Sequence, residues 1–193
     1  MPAFHYAGTT SLVTGASSGL GEQFTRQLAT RGSDLVLVAR SADRLAALAD
    51  ELRARHRVTV TTLPADLSLA DEVSRVAAVT ATTGSRGLVN NAGFGTHGAL
   101  AGLNAGREHS EMMVTAVAAV DLAHAAPPGM PARRSGGIIT IAPAIAFQPQ
   151  PAANRLRREQ SLRPGVQLRQ AGRRGHRARR RADRSLSNSH RPT

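Results

Sequence analysis

The chain contains no cysteine, no tryptophan and no lysine, and its single tyrosine is Tyr6. Without cysteine there is no disulfide framework, no thiolate nucleophile and no cysteine-based metal site. No apolar run reaches the roughly 20 residues needed to cross a bilayer. The opening MPAFHYAGTT lacks the basic and apolar regions of a signal peptide. These absences fit a cytoplasmic chain with no membrane partner. Charge is present in excess but unevenly. The formal net charge is +12, yet residues 1–150 hold 12 arginines against 11 acids, while residues 151–193 hold 13 arginines against 2. The body is close to neutral and the tail carries the excess. Basic tails that bind nucleic acid usually mix lysine with arginine, so an all-arginine tail points toward GC-rich coding.

What is there is periodic. A length of 193 residues fits one domain. The run 11–14 (SLVT) stops at the glycine cluster GASSGLG. A helix pattern follows, with Phe24 and Leu28 four apart and Gly32 as its stop. Residues 34–39 (DLVLVA) read as a buried strand. Ser41 sits at an N-cap position, ahead of a helix with Asp43 in its first turn and Leu45, Leu48 and Leu52 on one face. A β-branched strand is expected over 58–63, a helix over 69–79, and a short strand ending in GLVNNAG. One long helix is expected over 107–126, stopped by Pro127 and Pro128, and then a fifth strand over 137–142. Strands alternating with helices predict a parallel sheet covered on both faces, a doubly wound α/β fold. After Pro151 both periodicities vanish. Residues 152–193 are therefore expected to be a disordered basic tail behind a domain of residues 1–151.

The stretch 14-TGASSGLG-21 lies between the first strand and the first helix, where an open α/β sheet binds a dinucleotide. Gly15, Gly19 and Gly21 permit close backbone approach, and the helix behind them offers free N–H groups and a positive dipole end to a pyrophosphate. Glycines alone would equally serve an ordinary turn. At the end of the second strand the chain has Ala39, Arg40 and Ser41 where an acid would select an unphosphorylated ribose. Arg40 can pair with a 2′-phosphate, which favours NADP over NAD, although a plain surface charge is the other reading. His97, His109 and His124 lack metal-ligand spacing, so no metal is expected. Met112 and Met113 read as core.

Several of these motifs together resemble the short-chain dehydrogenase/reductase family. Thr14, Gly15, Ser17, Ser18, Gly19, Leu20 and Gly21 lie in a match to its Thr-Gly-x-x-x-Gly-x-Gly signature. Asp66 and Leu67 resemble its adenine-contacting pair. Asn90, Asn91, Ala92 and Gly93 resemble its Asn-Asn-Ala-Gly motif, and 136-GGIITIA-142 its fifth strand. The likeness covers about residues 8–151. It implies a Rossmann-like fold, NADP as cofactor, and hydride transfer between that cofactor and a carbonyl or alcohol.

It also implies a serine, a tyrosine and a lysine four residues after it, supported by an asparagine. A phenol titrates near pH 10 unless a fixed cation lowers it. This chain departs at each position. Pro143 stands in the serine slot, Thr115 near the asparagine slot, and the tyrosine and lysine are missing. The expected catalytic residues are therefore none. One permitted encoding of 155-RLRREQSLRPGVQ-167, with its first nucleotide dropped, translates as Val-Tyr-Gly-Ala-Ser-Lys-Ala-Phe-Val-Leu-Ala-Phe. That is the missing Tyr-x-x-x-Lys segment at the expected distance from Pro143. A frameshift between about Pro151 and Arg155 is the reading this supports. The sheet is then truncated after about its fifth strand, and the family's homo-oligomer interface is lost. A different class of function, sequence-blind nucleic-acid binding through the arginine tail, would show a steep salt dependence but has no aromatic residue in the tail to stack bases.

Overall fold

A computed structural model describes residues 5–96, 102–126, 130 and 135–142, all within the unit Met1–Pro143. The elements run β1 (Thr10–Thr14), α1 (Gly19–Thr30), β2 (Asp34–Ala39), α2 (Ala42–His56), β3 (Val60–Pro64), α3 (Ala70–Thr82) and β4 (Gly87–Asn90). Then come α4 (Ala105–Met112), a π turn (Met113–Val117), α5 (Ala118–Ala125) and β5 (Gly137–Thr140). Every strand pairing is parallel, in the order β3-β2-β1-β4-β5. This is the Rossmann-like doubly wound α/β architecture. The tail beyond 151, with its expected disorder, nucleic-acid contact and lost oligomer interface, lies outside the described residues, as do His97, Pro127 and Pro128.

Period-two alternation sorts the strand residues onto two cores. Val13, Leu35, Leu37 and Val89 face one side, where Ala29 of α1 and Leu45, Leu48, Ala49 and Leu52 of α2 cover them. Leu12, Val36, Val38 and Leu88 face the other, under Val73 and Val76 of α3 and Ala118 and Leu122 of α5. Because β2 is covered on both faces, Leu35 through Ala39 are all buried, and this strand reads as an unbroken apolar run. Arg26 ties α1 to α2 by bonding Glu22 on its own helix and Glu51 on the next, at 2.9 and 2.7 Å.

Several boundaries differ from the expectations. β3 starts two residues late, although Val58 is already buried. α3 runs three residues further, to Thr82. The single long helix is instead two helices joined by the π turn, and it begins at Ala105, where Asn104 Oδ1 accepts the N–H of Arg107 at 2.9 Å. β5 ends at Thr140. Met112 and Met113, at the junction of α4 and the π turn, are only half-buried. Ser41 occupies the N-cap position of α2, but its side chain makes no capping bond. Ile138 and Ile139 are 45% and 47% exposed among the described residues.

Candidate functional site

The strand order reverses between β1 and β4, and in an open parallel sheet the crevice above such a reversal is where ligands sit. A cavity of about 1260 Å³ opens there, walled by the loop after β1, the ends of β2 and β3, the loop after β4, and α4.

One hydroxyl organises the cavity's rear wall. Thr14 Oγ1, almost fully buried, donates to Val89 O (3.4 Å) and accepts the backbone N–H groups of Asn91 and Ala92 (both 3.0 Å). Asn91 Nδ2 answers by donating to Thr14 O (3.1 Å) and Gly15 O (3.4 Å). The two motifs, 76 residues apart in sequence at Gly15 and Asn91, thus form one hydrogen-bonded seam. Gly15 turns the chain at φ +65°, a conformation that a side chain would strain. Gly21 lies against it with no room for a Cβ. Ser18, at the N-cap of α1, makes no side-chain cap bond, so the first N–H groups of the helix have no side-chain cap.

Ten of the fourteen expected cofactor-binding residues line the cavity: Gly15, Ser17, Ser18, Leu20, Arg40, Asp66, Leu67, Asn91, Ala92 and Gly93. Thr14, Gly21 and Asn90 are buried behind the lining, and Gly19 is exposed outside it. Asn90 is buried, and its Nδ2 donates to Ala119 O at 3.0 Å, while its Oδ1 has no hydrogen-bond partner among the described residues. Leu20 is 61% exposed, an apolar group held at the rim.

Asp66 carries the one carboxylate of the lining. Its Oδ1 accepts from Ser68 N (3.0 Å) and Ser68 Oγ (2.8 Å). The Ser68 N–H, then its hydroxyl, then the charge of Arg40 hold the carboxyl below its ordinary range, against the opposing effect of burial. A depressed carboxyl stabilises the fold above its unfolded pKa of about 3.9, and that contribution is lost as pH falls through the folded value. NMR titration of the Asp66 carboxyl should show the low midpoint, and Ser68→Ala should move it upward. An unmoved midpoint would remove the Ser68 hydroxyl as a cause and leave the backbone N–H, which alanine keeps.

Ala39 and Ser41, read with Arg40 at the end of the second strand, also line the cavity; the sequence did not flag the rest of the lining. Arg44 joins Arg40 on the wall, four residues further on in the first turn of α2. Both arginines are exposed, and no described carboxylate comes within ion-pair distance of either. Ser68 follows Asp66 by two. Asn104, Arg107, Ser110 and Val114 line the opposite wall from α4 and the π turn, at spacings of three and four that mark one helix face.

Among the described residues the lining contains no tyrosine, lysine or histidine. Tyr6 lies elsewhere, beside a separate cavity of about 190 Å³, with the Arg31 guanidinium 5.8 Å from its ring centroid. Thr115 falls in the π turn, its Oγ1 donating to Glu111 O at 2.6 Å. Pro143 and residues 155–167 lie outside the described residues. His109 and His124 are exposed, and no group of three His, Cys, Asp or Glu is gathered among the described residues. What the arrangement offers is a glycine-lined, arginine-flanked cradle for a phosphorylated ligand.

The family model for short chain dehydrogenase matches residues 9–155. The chain is 46% identical over 70 residues to a very-long-chain 3-oxoacyl-CoA reductase of Aspergillus clavatus, covering 36% of this chain and 20% of that protein. Its fold is similar to a short-chain dehydrogenase from Sphingobium yanoikuyae solved with NADPH, with TM-score 0.71 and 34% identity over 75% of this chain and 57% of that one. A metagenomic short-chain oxidoreductase in complex with NADP gives TM-score 0.72 and 30% identity over 80% and 71%. The chain thus spans a fifth of that curated relative and little more than half of the Sphingobium structure.

Proposed function

The chain belongs to the short-chain dehydrogenase family, and we propose that its cavity takes NADP(H) in preference to NAD(H). The observation that carries this is the wall after β2, where Arg40, Ser41 and Arg44 line the cavity and Arg40 and Ser41, directly after the strand, are not acids. An arginine there meets a 2′-phosphate with charge-assisted bonds, and an acid would have repelled it. The rest of the lining fits the same ligand. Gly15 and Gly21 leave a cradle that a Cβ would fill, and the N-terminus of α1 faces the pyrophosphate position. Asp66 and Leu67, which line the cavity, would meet the adenine on this reading, and Asn91, Ala92 and Gly93 line the same cavity. That two neighbours were solved with NADPH or NADP supports the choice.

The lineage's reaction is hydride transfer between the nicotinamide and a small-molecule carbonyl or alcohol; the cofactor, when bound, supplies or accepts the hydride. In this chain the proton-handling half is missing. Pro143 has no hydroxyl to hold a substrate oxygen, and one permitted encoding of 155–167 carries Tyr-x-x-x-Lys one base out of phase. We infer from this that the chain binds the nucleotide without turning a substrate over.

Fluorescence titration with NADPH and NADH tests the cofactor choice, and the lack of tryptophan leaves the nicotinamide signal clear of indole emission. Arg40→Gln should weaken NADPH by about tenfold to a hundredfold, the value of a hydrogen bond to a charged group. NADH should stay within about twofold. Equal losses for both, or none for either, would refute Arg40 as the 2′-phosphate ligand.

A further inference from the structure

Arg107 faces the cavity from α4, across from Arg40 and Arg44. Three features hold it there. Asn104 Oδ1 accepts its backbone N–H at 2.9 Å, fixing the first turn of the helix. Its guanidinium carbon lies 5.8 Å from the centroid of the Phe94 ring, a cation–π distance. Phe94 in turn belongs to a loop pinned to α4, because Thr96 N and Oγ1 both donate to Glu111 Oε2, at 2.9 and 2.7 Å.

The same contacts leave the Arg107 charge unmatched. Glu108 and Glu111 are the carboxylates nearest to it in sequence, and both bond Thr96 instead. No described carboxylate forms an ion pair with Arg107, whereas Arg26, Arg53, Arg55 and Arg75 each have one. Asp66, the single acid of the lining, is engaged by Ser68. An oriented, exposed guanidinium on a cavity wall, with its own acids turned away, is arranged for an anion that arrives with the ligand.

We propose that Arg107 is a second phosphate-binding arm, a positioning residue that reaches the dinucleotide from α4 while Arg40 and Arg44 act from α2. This rests on the cofactor reading above. The phosphate is one of two on the same ligand, the pyrophosphate or the 2′-phosphate. In either case Phe94 works as the platform that keeps the guanidinium planar to the cavity and restrains its rotamers before binding.

The test is titration of the full chain and its Arg107→Gln variant with NADPH and with NADH, the thermal melt of each being recorded alongside. Arg107 is exposed, so the melt should not move. A loss of about five- to tenfold in both cofactors, with their ratio unchanged, assigns the arm to the pyrophosphate. The same loss confined to NADPH assigns it to the 2′-phosphate. Arg107→Lys should recover part of the affinity, since charge returns without the planar fork, and Phe94→Leu should lose part by removing the ring face at similar bulk. Wild-type affinity for both cofactors in Arg107→Gln overturns the arm alone and leaves the cofactor reading standing. A wild-type chain that binds neither cofactor overturns both.

Discussion

NADPH will not bind measurably to the Gly21→Ala chain. A Cβ on Gly21 would overlap Gly15 O, and would lie 2.5 Å from Asn91 Nδ2 and 2.8 Å from the Gly15 carbonyl carbon. Two of those three atoms are backbone and cannot rotate away. Gly15 has no slack to offer either, because it is already in the left-handed region and packed against Asn91 and Ala92. Either α1 lifts from the sheet or the loop after β1 is pushed into the cavity, and both displace the phosphate cradle. Forced overpacking of this kind costs about 1–3 kcal/mol, which in a domain of this size lowers Tm by roughly 2–10 °C. The binding loss should exceed what destabilisation accounts for, at about thirtyfold or more, since the displaced atoms are the ones that meet the ligand. Gly102→Ala is the matched control, because its Cβ would meet nothing within 4 Å. Unchanged NADPH affinity in Gly21→Ala, with the control also unchanged, would refute the placement of the cofactor over this loop.

The second large effect is a gain. Removing one nucleotide ahead of the Arg155 codon, in a gene written with the alternative-frame codons, and combining it with Pro143→Ser should give an NADPH-dependent ketone reductase far more active than the starting chain. A positioned acid–base group contributes typically 10²–10⁴-fold, so the gain over background should be of that order. Pro143→Ser alone should do nothing, because a hydroxyl that orients a substrate has no proton donor to work with. The frame change alone should restore less activity than the pair. The readout is NADPH consumption with a simple aryl ketone, after titration has shown that the cofactor binds. A double variant that folds and binds NADPH yet turns nothing over would sink the frameshift reading. Sequencing the coding DNA across codons 150–160 checks it independently.

Much of the fold was legible because burial on two faces leaves a plain mark. DLVLVA is covered by both cores and so is apolar at every position after Asp34. The glycine loop was legible for a different reason: its place between a strand and a helix was read together with the other motifs, and Gly15 and Gly21 occupy places where nothing larger fits. The start of β3 was misplaced because Thr59 resembles a strand residue, yet its N–H is taken by the Asp34 side chain at 2.7 Å. The π turn left no compositional trace. MVTAV would serve equally in an ordinary helix, and Met112 and Met113 beside it are only half-buried. The α4 wall went unseen because Asn104, Arg107 and Ser110 read as a solvated helix face; only the strand order brings that face over the cavity.

The Thr14 hydroxyl makes the site and the sheet a single mechanical part. It grips the amides of Asn91 and Ala92 while sitting at the end of β1, one bond away from the β1–β4 seam. The floor of the cavity therefore cannot loosen while the central strands stay zipped. Ligand affinity and the integrity of the central sheet are two gauges on one spring, and a shift in either is read on the other.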